Sequence, residues 1–457
     1  LLAAVFLAVP MLLLVAAELR IASVVGGWLS GMSAGMLLPS FALFVLASLV
    51  LGGMRSLSWS NAAQAITVLL AFLVPVALVA VLVTKLPIPQ LSYGPIVRGL
   101  IRHEAALSLP DLAAAPFSLD LPGEGFATIA KRFATPFGAI GPVAFVITML
   151  TVMAGLASAP WLLPRVSTTP GVHEARKSLA WATVFFGVLV LTMTSVAAFM
   201  RAPLMDLALT AEPGQIPDWL KSLSAAGLVE LTSASTRVAI GSVAFWRDGV
   251  FLALPIATGL PAAFVYLAAA SAIAAALAGA GGAAMALGNL LAEDILNGLS
   301  WEPPSDAVRL ILARSMLAAA LGAGTALAIA APTDPLALLL WAITITGTTA
   351  FPVLVLSIWW KRLNSFGALA GMTSGFAIST SAIIAGEAGL FDAAGTVVAA
   401  LGMPIGTGAA MLVSVLTPSP SRHALELVRD IRVPGGEILY DREMQRLRLK
   451  QRRSSTT

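Results

Sequence analysis

Cysteine is absent from the 457-residue chain, which excludes disulfides, thiolate metal sites and cysteine nucleophiles. Histidine is almost as scarce: three residues, at 103, 173 and 423, are too scattered to build a histidine-based metal site. Charge is thin as well. Charged residues fill 11% of positions and hydrophobic ones 58%, whereas about a quarter of the residues in a soluble domain are charged. With a mean hydropathy of +0.91, the chain reads as an all-α polytopic membrane protein. No catalytic constellation is visible, so an enzyme is not expected.

The net charge of +4 does not point to nucleic acid, because its location is wrong. From Arg422 to Arg453 there are nine Lys/Arg against five Asp/Glu, which accounts for the whole excess. An Arg-rich tail beside a membrane is expected on the cytoplasmic side of a bacterial inner membrane, with the lipid bilayer as its partner. The chain starts at Leu1 inside an apolar run with no basic segment before it, which a signal peptide would need. That start reads as a cut edge.

A spanning helix needs about 20 mostly apolar residues. Such stretches lie near 1–26, 31–53, 61–85, 138–163, 178–200, 259–292, 307–331, 335–360, 364–386 and 393–417, giving ten spans. The runs are continuous, where barrel strands would alternate over about ten residues. An even number puts both ends on one side, with Arg55, Arg165, Arg176, Lys177, Lys361 and Arg362 in loops on the tail's side. Segments 86–137 and 201–258 then lie outside as ordered loops with short helices, Asp218 to Ala226 among them.

Met153 to Pro164 reads MAGLASAPWLLP. Gly155, Pro160 and Pro164 each weaken a regular helix there, since proline removes a donor and clashes with the preceding turn. Backbone freed at membrane depth has to be buried in protein or face a water-filled cavity, and broken helices of this kind build substrate sites in transporters. A simple packing kink reads equally well from this segment alone. In the first span, Glu18 and Arg20 are ionisable residues in apolar surroundings. They are expected near the outer end of the helix, where Arg20 can snorkel, and two residues apart they do not share a face. Glu18 is also a candidate for proton coupling.

Four stretches together resemble the sodium/solute symporter family, most closely its cation/acetate symporter branch: GGMRSLSWSNAAQ (Gly52 to Gln64), AGLASAPWLLPRVSTTPGVHEARKS (Ala154 to Ser178), AAALAGAGGAAMALGNLLAEDIL (Ala274 to Leu296) and FPVLVLSIWWKRLNSFGALAGM (Phe351 to Met372). PIPQLSYGP (Pro87 to Pro95) adds a branch-level match. The resemblance covers nearly the whole chain in order. It implies ten core helices in two inverted repeats of five, of which this chain would hold about the third to the tenth, without the first two. Residues 1–360 would be the transporter core, 361–417 two peripheral transmembrane helices and 418–457 a basic cytoplasmic tail. It further implies a small-molecule solute, a monocarboxylate such as acetate, carried by alternating access with Na+ or H+ as coupling ion and no other cofactor. Expected substrate contacts are exposed backbone and side chains at Gly155, Ser158, Pro160 and Trp161, with hydroxyls of Thr346 and Thr348, although such threonines more often bond back to their own helix.

One departure bears on the ion. Where the family carries adjacent hydroxyls on its eighth core helix, this chain has Ala278 and Gly279, and the neighbouring backbone ligand corresponds to Ala275. Hard cations need oxygen ligands to replace shed water. Loss of two should therefore disable the sodium site and leave a proton-coupled or uncoupled variant, with the Gly/Ala face serving close packing. Trp161 in place of a common His, and Asn61 in place of an acidic residue or Gln, are further departures. A second expectation from the resemblance is a non-transporting sensor or regulatory subunit of the same fold, with a small membrane partner subunit.

Overall fold

The computed structural model describes residues 2–110, 125–128, 131–132, 137, 140–166, 168–210, 216–231, 242–297, 304–330, 334–390 and 394–431. Most of the basic tail, from 432 onward, lies outside these. The long apolar runs form helices because a backbone in lipid has to satisfy its own hydrogen bonds. They are α1 (Leu2–Ser30), α2 (Ala34–Thr84), α5 (Pro142–Ala157), α7 (Val172–Thr210), α10 (Ala262–Asn289), α11 (Asp306–Ala330), α12 (Pro335–Thr349), α13 (Phe351–Trp359), α14 (Ser365–Glu387) and α16 (Gly402–Leu416). Shorter helices connect them: α3 (Pro89–Ser92), α4 (Gly94–Ala106), α6 (Leu163–Val166), α8 (Asp218–Ala225), α9 (Val250–Ala257) and α15 (Gly395–Ala399), with α17 (Arg422–Ile431) last. α10 continues into a π-helical turn, Leu290–Asn297.

Eight helical segments among the described residues are long and apolar enough to cross a membrane, against the ten spans expected. Two causes account for the difference. The runs 31–53 and 61–85 merge into the single helix α2, whose 51 residues would reach ~77 Å at 1.5 Å per residue. The run near 138–163 yields only the 16 helical residues of α5 before it breaks. Helix α2 is itself interrupted at Gly53, whose φ of 55° and ψ of −143° are non-helical. Glycine enters that region freely where a Cβ would be strained, so α2 is two legs joined at one residue.

Helix α1 is the centre of the bundle and packs on α10, α12, α11 and α2. Val15, Ala16, Ala17 and Leu19 on it are fully buried. On the periphery, α14 and α16 pair tightly because small residues let the backbones approach: a Cβ at Gly371 would meet the Ala410 side chain and the Gly406 carbonyl. Leu43, Phe44, Trp181 and Phe186 project outward from α2 and α7, as side chains facing lipid do.

The connections between spans hold more than short helices. Strands β1 (Phe126–Thr128), β2 (Val229–Leu231) and β3 (Val243–Trp246) form an antiparallel sheet in the order β1-β3-β2, with Phe126 opposite Trp246 and Val229 opposite Phe245. The sheet shares an apolar cluster with α8 and the C-terminal parts of α2 and α7 through Leu220, Leu223, Val79 and Phe199.

Candidate functional site at the helix break

The break between α5 and α6 follows from its sequence. Ser158 leaves the helix with φ −110° and ψ 11°, and Pro160 cannot supply the donor that continuation requires. The segment is buried at its turn: Ala159 is fully buried and Trp161 is buried in the cluster built on α1 and α10, while Leu162 and Leu163 are exposed. Just before the break, α5 lies backbone to backbone on α12. A Cβ added at Gly155 would fall on the Ile343 carbonyl, and one at Gly347 would come within 2.9 Å of the Gly155 amide nitrogen.

The expected hydroxyl contacts are all buried. Ser158 Oγ donates to the Ala154 carbonyl at 2.8 Å, and Thr346 Oγ1 to that of Ala342 at 2.7 Å. Thr348 Oγ1 donates to the Thr344 carbonyl at 3.0 Å, and its Cβ faces Gly402 at the head of α16. The structure thus brings Gly155 together with α12, while Thr348 is turned toward α16. Thr349, also fully buried, has a hydroxyl with no hydrogen-bond partner among the described residues.

On α10, Ala278 and Gly279 are half-buried and Ala275 is exposed. Ala275 lines a cavity of about 390 Å³ bounded by α2, α7 and α9, apolar except for Ser271 and Arg247. Neither 278 nor 279 offers a side-chain oxygen. Among the described residues no group of three His, Asp or Glu side chains is placed to hold a metal ion.

Two features were not foreseen. The sequence puts Glu18 near the outer end of its helix; in the structure α1 runs on to Ser30, so Glu18 falls near its middle, and its carboxyl group lies where a Cβ of Gly279 would be. Arg20 points elsewhere, donating to the Ala328 carbonyl of α11 at 3.2 Å. Arg165, read from sequence as a loop cation, reaches inward from α6 until its guanidinium fills the space of a Cβ at Gly282. With the Asn61 amide turned to suit, its oxygen accepts from Arg165 at 2.7 and 3.1 Å and its nitrogen donates to Gln64 Oε1 at 3.2 Å. Asn61 was the signal available in the sequence, since it departs from the pattern at the position that meets Arg165.

At the head of α12, Asp334 caps the helix by accepting from the Leu336 amide at 2.9 Å and pairs in bidentate fashion with Arg247 at 2.5 and 2.8 Å. Burial acts to raise the Asp334 carboxyl, but the Arg247 and Leu336 hydrogen bonds outweigh it and hold it below the usual carboxylate range. The Asp334 hydrogen bond in turn drives the Arg247 guanidinium further up, against its own burial.

No family model matches the chain. It is 26% identical to an uncharacterized symporter of Cupriavidus necator, over 84% of this chain and 68% of that protein. Its fold is similar to that of a solved Na+-coupled sialic acid symporter in a substrate-bound, outward-open state, with a TM-score of 0.62 at 15% identity over 92% of this chain and 75% of the other. The molecule is therefore a multi-pass helical membrane protein whose fold resembles that of a solved symporter and whose sequence is similar to that of an uncharacterized one.

Proposed function

We propose that this protein is a secondary active transporter that moves a small organic solute, a monocarboxylate such as acetate, by alternating access. The observation that carries the reading is the interrupted α5–α6 segment, buried against α12 and α1 at the level of Gly155 to Trp161. Broken helices of this kind build substrate sites in transporters. Gly155, Ser158, Pro160 and Trp161 would frame the solute, with Thr346 on α12 behind them. About the third to the tenth core helix of an inverted five-plus-five repeat within 1–360, peripheral helices at 361–417 and a cytoplasmic tail from 418 complete the reading. The ordered motifs support it, and so does the pairing of α14 with α16.

Sodium is not the coupling ion in this reading, because Ala278 and Gly279 provide no donor and an incompletely coordinated cation at membrane depth keeps a large desolvation cost. The test is uptake of labelled acetate and pyruvate into proteoliposomes under sodium or pH gradients. Uptake without sodium is expected, and sodium-dependent uptake would overturn the coupling assignment. No uptake of either solute would favour the second reading, a sensor or regulatory subunit of the same fold.

A further inference from the structure

Glycines 279 and 282 lie one turn apart on α10, so they share a face. At each, the volume that a Cβ would take is filled by the end of a charged side chain from another helix: the Glu18 carboxyl at 279 and the Arg165 guanidinium at 282. The small stripe is thus a pair of seats for charges as well as a close-packing surface. Glu18 is half-buried between α1 and α10, so its carboxyl group keeps some accessible surface.

Among the described residues Glu18 makes no hydrogen bond and no ion pair. The charged groups of the surrounding elements are engaged elsewhere or turned outward. Arg20 reaches α11, Arg165 holds Asn61, Asp334 holds Arg247, and Glu293 of the π turn pairs with Arg309 at 2.8 Å. Arg55 of α2, Lys85 at its C-terminal cap, Asp294 of the π turn, Asp306 and Arg314 of α11 and Glu387 of α14 are exposed. Helix α10 from 262 to 289 and helix α12 from 335 to 349 contain no charged residue. A lone carboxylate at membrane depth is costly unless a proton or cation neutralises it. A hard cation needs several oxygens, and the facing residues of α10 bring none beyond backbone. A proton needs a single acceptor.

We propose that Glu18, seated on Gly279, carries the coupling proton. Its carboxylate takes a proton from water on one side of the membrane, becomes a neutral carboxyl against α10, and returns the proton to water on the other side. No other bond is made or broken. As a coupling step this rests on the transporter reading above, whereas proton binding at Glu18 can be measured without any solute.

The experiment uses the full chain in lipid nanodiscs, treated with dicyclohexylcarbodiimide, a membrane-soluble reagent that adds to protonated carboxyls, and followed by peptide mass spectrometry. Modification of Glu18 is expected. Its rate should fall roughly tenfold per pH unit above the point where the carboxyl titrates, and should be the same in sodium as in choline. Infrared difference spectra across the same pH range should show a protonated-carboxyl band that Glu18→Gln removes. Protection by sodium at constant pH would make Glu18 a cation ligand and overturn the proposal, as would the absence of a Glu18-dependent band at every pH. With acetate and pyruvate as probes, Glu18→Gln should lose uptake driven by a pH gradient. If Glu18 titrates but the native protein takes up neither probe, the solute assignment fails and the proton site stands.

Discussion

Gly155 of α5 and Ile343 of α12 meet main chain to main chain, with no room for a methyl group between them. The obstacle is a carbonyl in a helix, which cannot move aside as a side-chain tip can. Gly155→Ala should therefore destabilise the protein by about 1–3 kcal/mol, the usual cost of overpacking. Gly187→Ala is the control: it lies in α7 with nothing within 4 Å of the added carbon, and gains up to ~1 kcal/mol from helix propensity. Thermal unfolding in detergent compares the two, and an equal effect would refute the close contact.

Arg165 ties α6 to α2 through Asn61 and to α10 at Gly282. Arg165→Ala should loosen the broken segment, seen as faster amide hydrogen exchange at 158–166. Gly282→Ala should be milder, because the atom in the way is the end of a flexible side chain. Exchange unchanged in Arg165→Ala would show that Pro160 and Pro164 hold the segment unaided.

Glu104 of α4 and Arg201 of α7 form a buried pair at 2.6 Å, with side chains only 2% and 10% exposed. Removing the carboxylate leaves a buried guanidinium without its counter-charge, although Arg201 still donates to the Lys131 carbonyl, so Glu104→Gln should cost about 3–5 kcal/mol. The double change Glu104→Leu with Arg201→Met should cost less than the single one, and denaturation of the two variants measures the difference. The reverse order would mean that the pair is net stabilising beyond its desolvation cost.

The Arg247–Asp334 pair gives a dependence on pH with a definite sign. Asp334 titrates lower in the folded protein than in the unfolded chain, so its contribution is complete above the unfolded carboxyl value of about 4 and is lost as pH falls through the folded one. Asp334→Asn keeps a helix-capping side chain and should erase that acid-side dependence without uncapping α12. Arg247→Lys should weaken the anchorage, since an ammonium cannot reproduce the bidentate fork. Melting temperature against pH for the three proteins checks this.

How much of the molecule could be read from residues alone depended on the length scale of the signal. Runs of twenty apolar residues announce helices, and α10, α11 and α14 lie close to where hydropathy puts them. Apolarity does not say how consecutive runs join, so the union of two runs through Gly53 was not legible. Strands of three or four residues are too short to display a two-residue alternation, which hid the sheet. The charge seats were harder still. Glu18 and Gly279 are far apart in the chain, and a glycine carries no side-chain signal for the group that will fill its empty place. Gly155, Pro160 and Pro164 announced the helix break, but the direction in which Thr348 points is set by packing on α16.

The single-residue joint at Gly53 has a mechanical consequence. A long connecting loop would let two membrane helices tilt independently, whereas one residue leaves no slack, so a swing of the first leg has to be passed to the second like the throw of a crank. Because Asn61 lies on the second leg and grips Arg165, any such swing is delivered straight to the broken segment. Lengthening this joint would therefore cut the interrupted helix loose from the movements of the first leg.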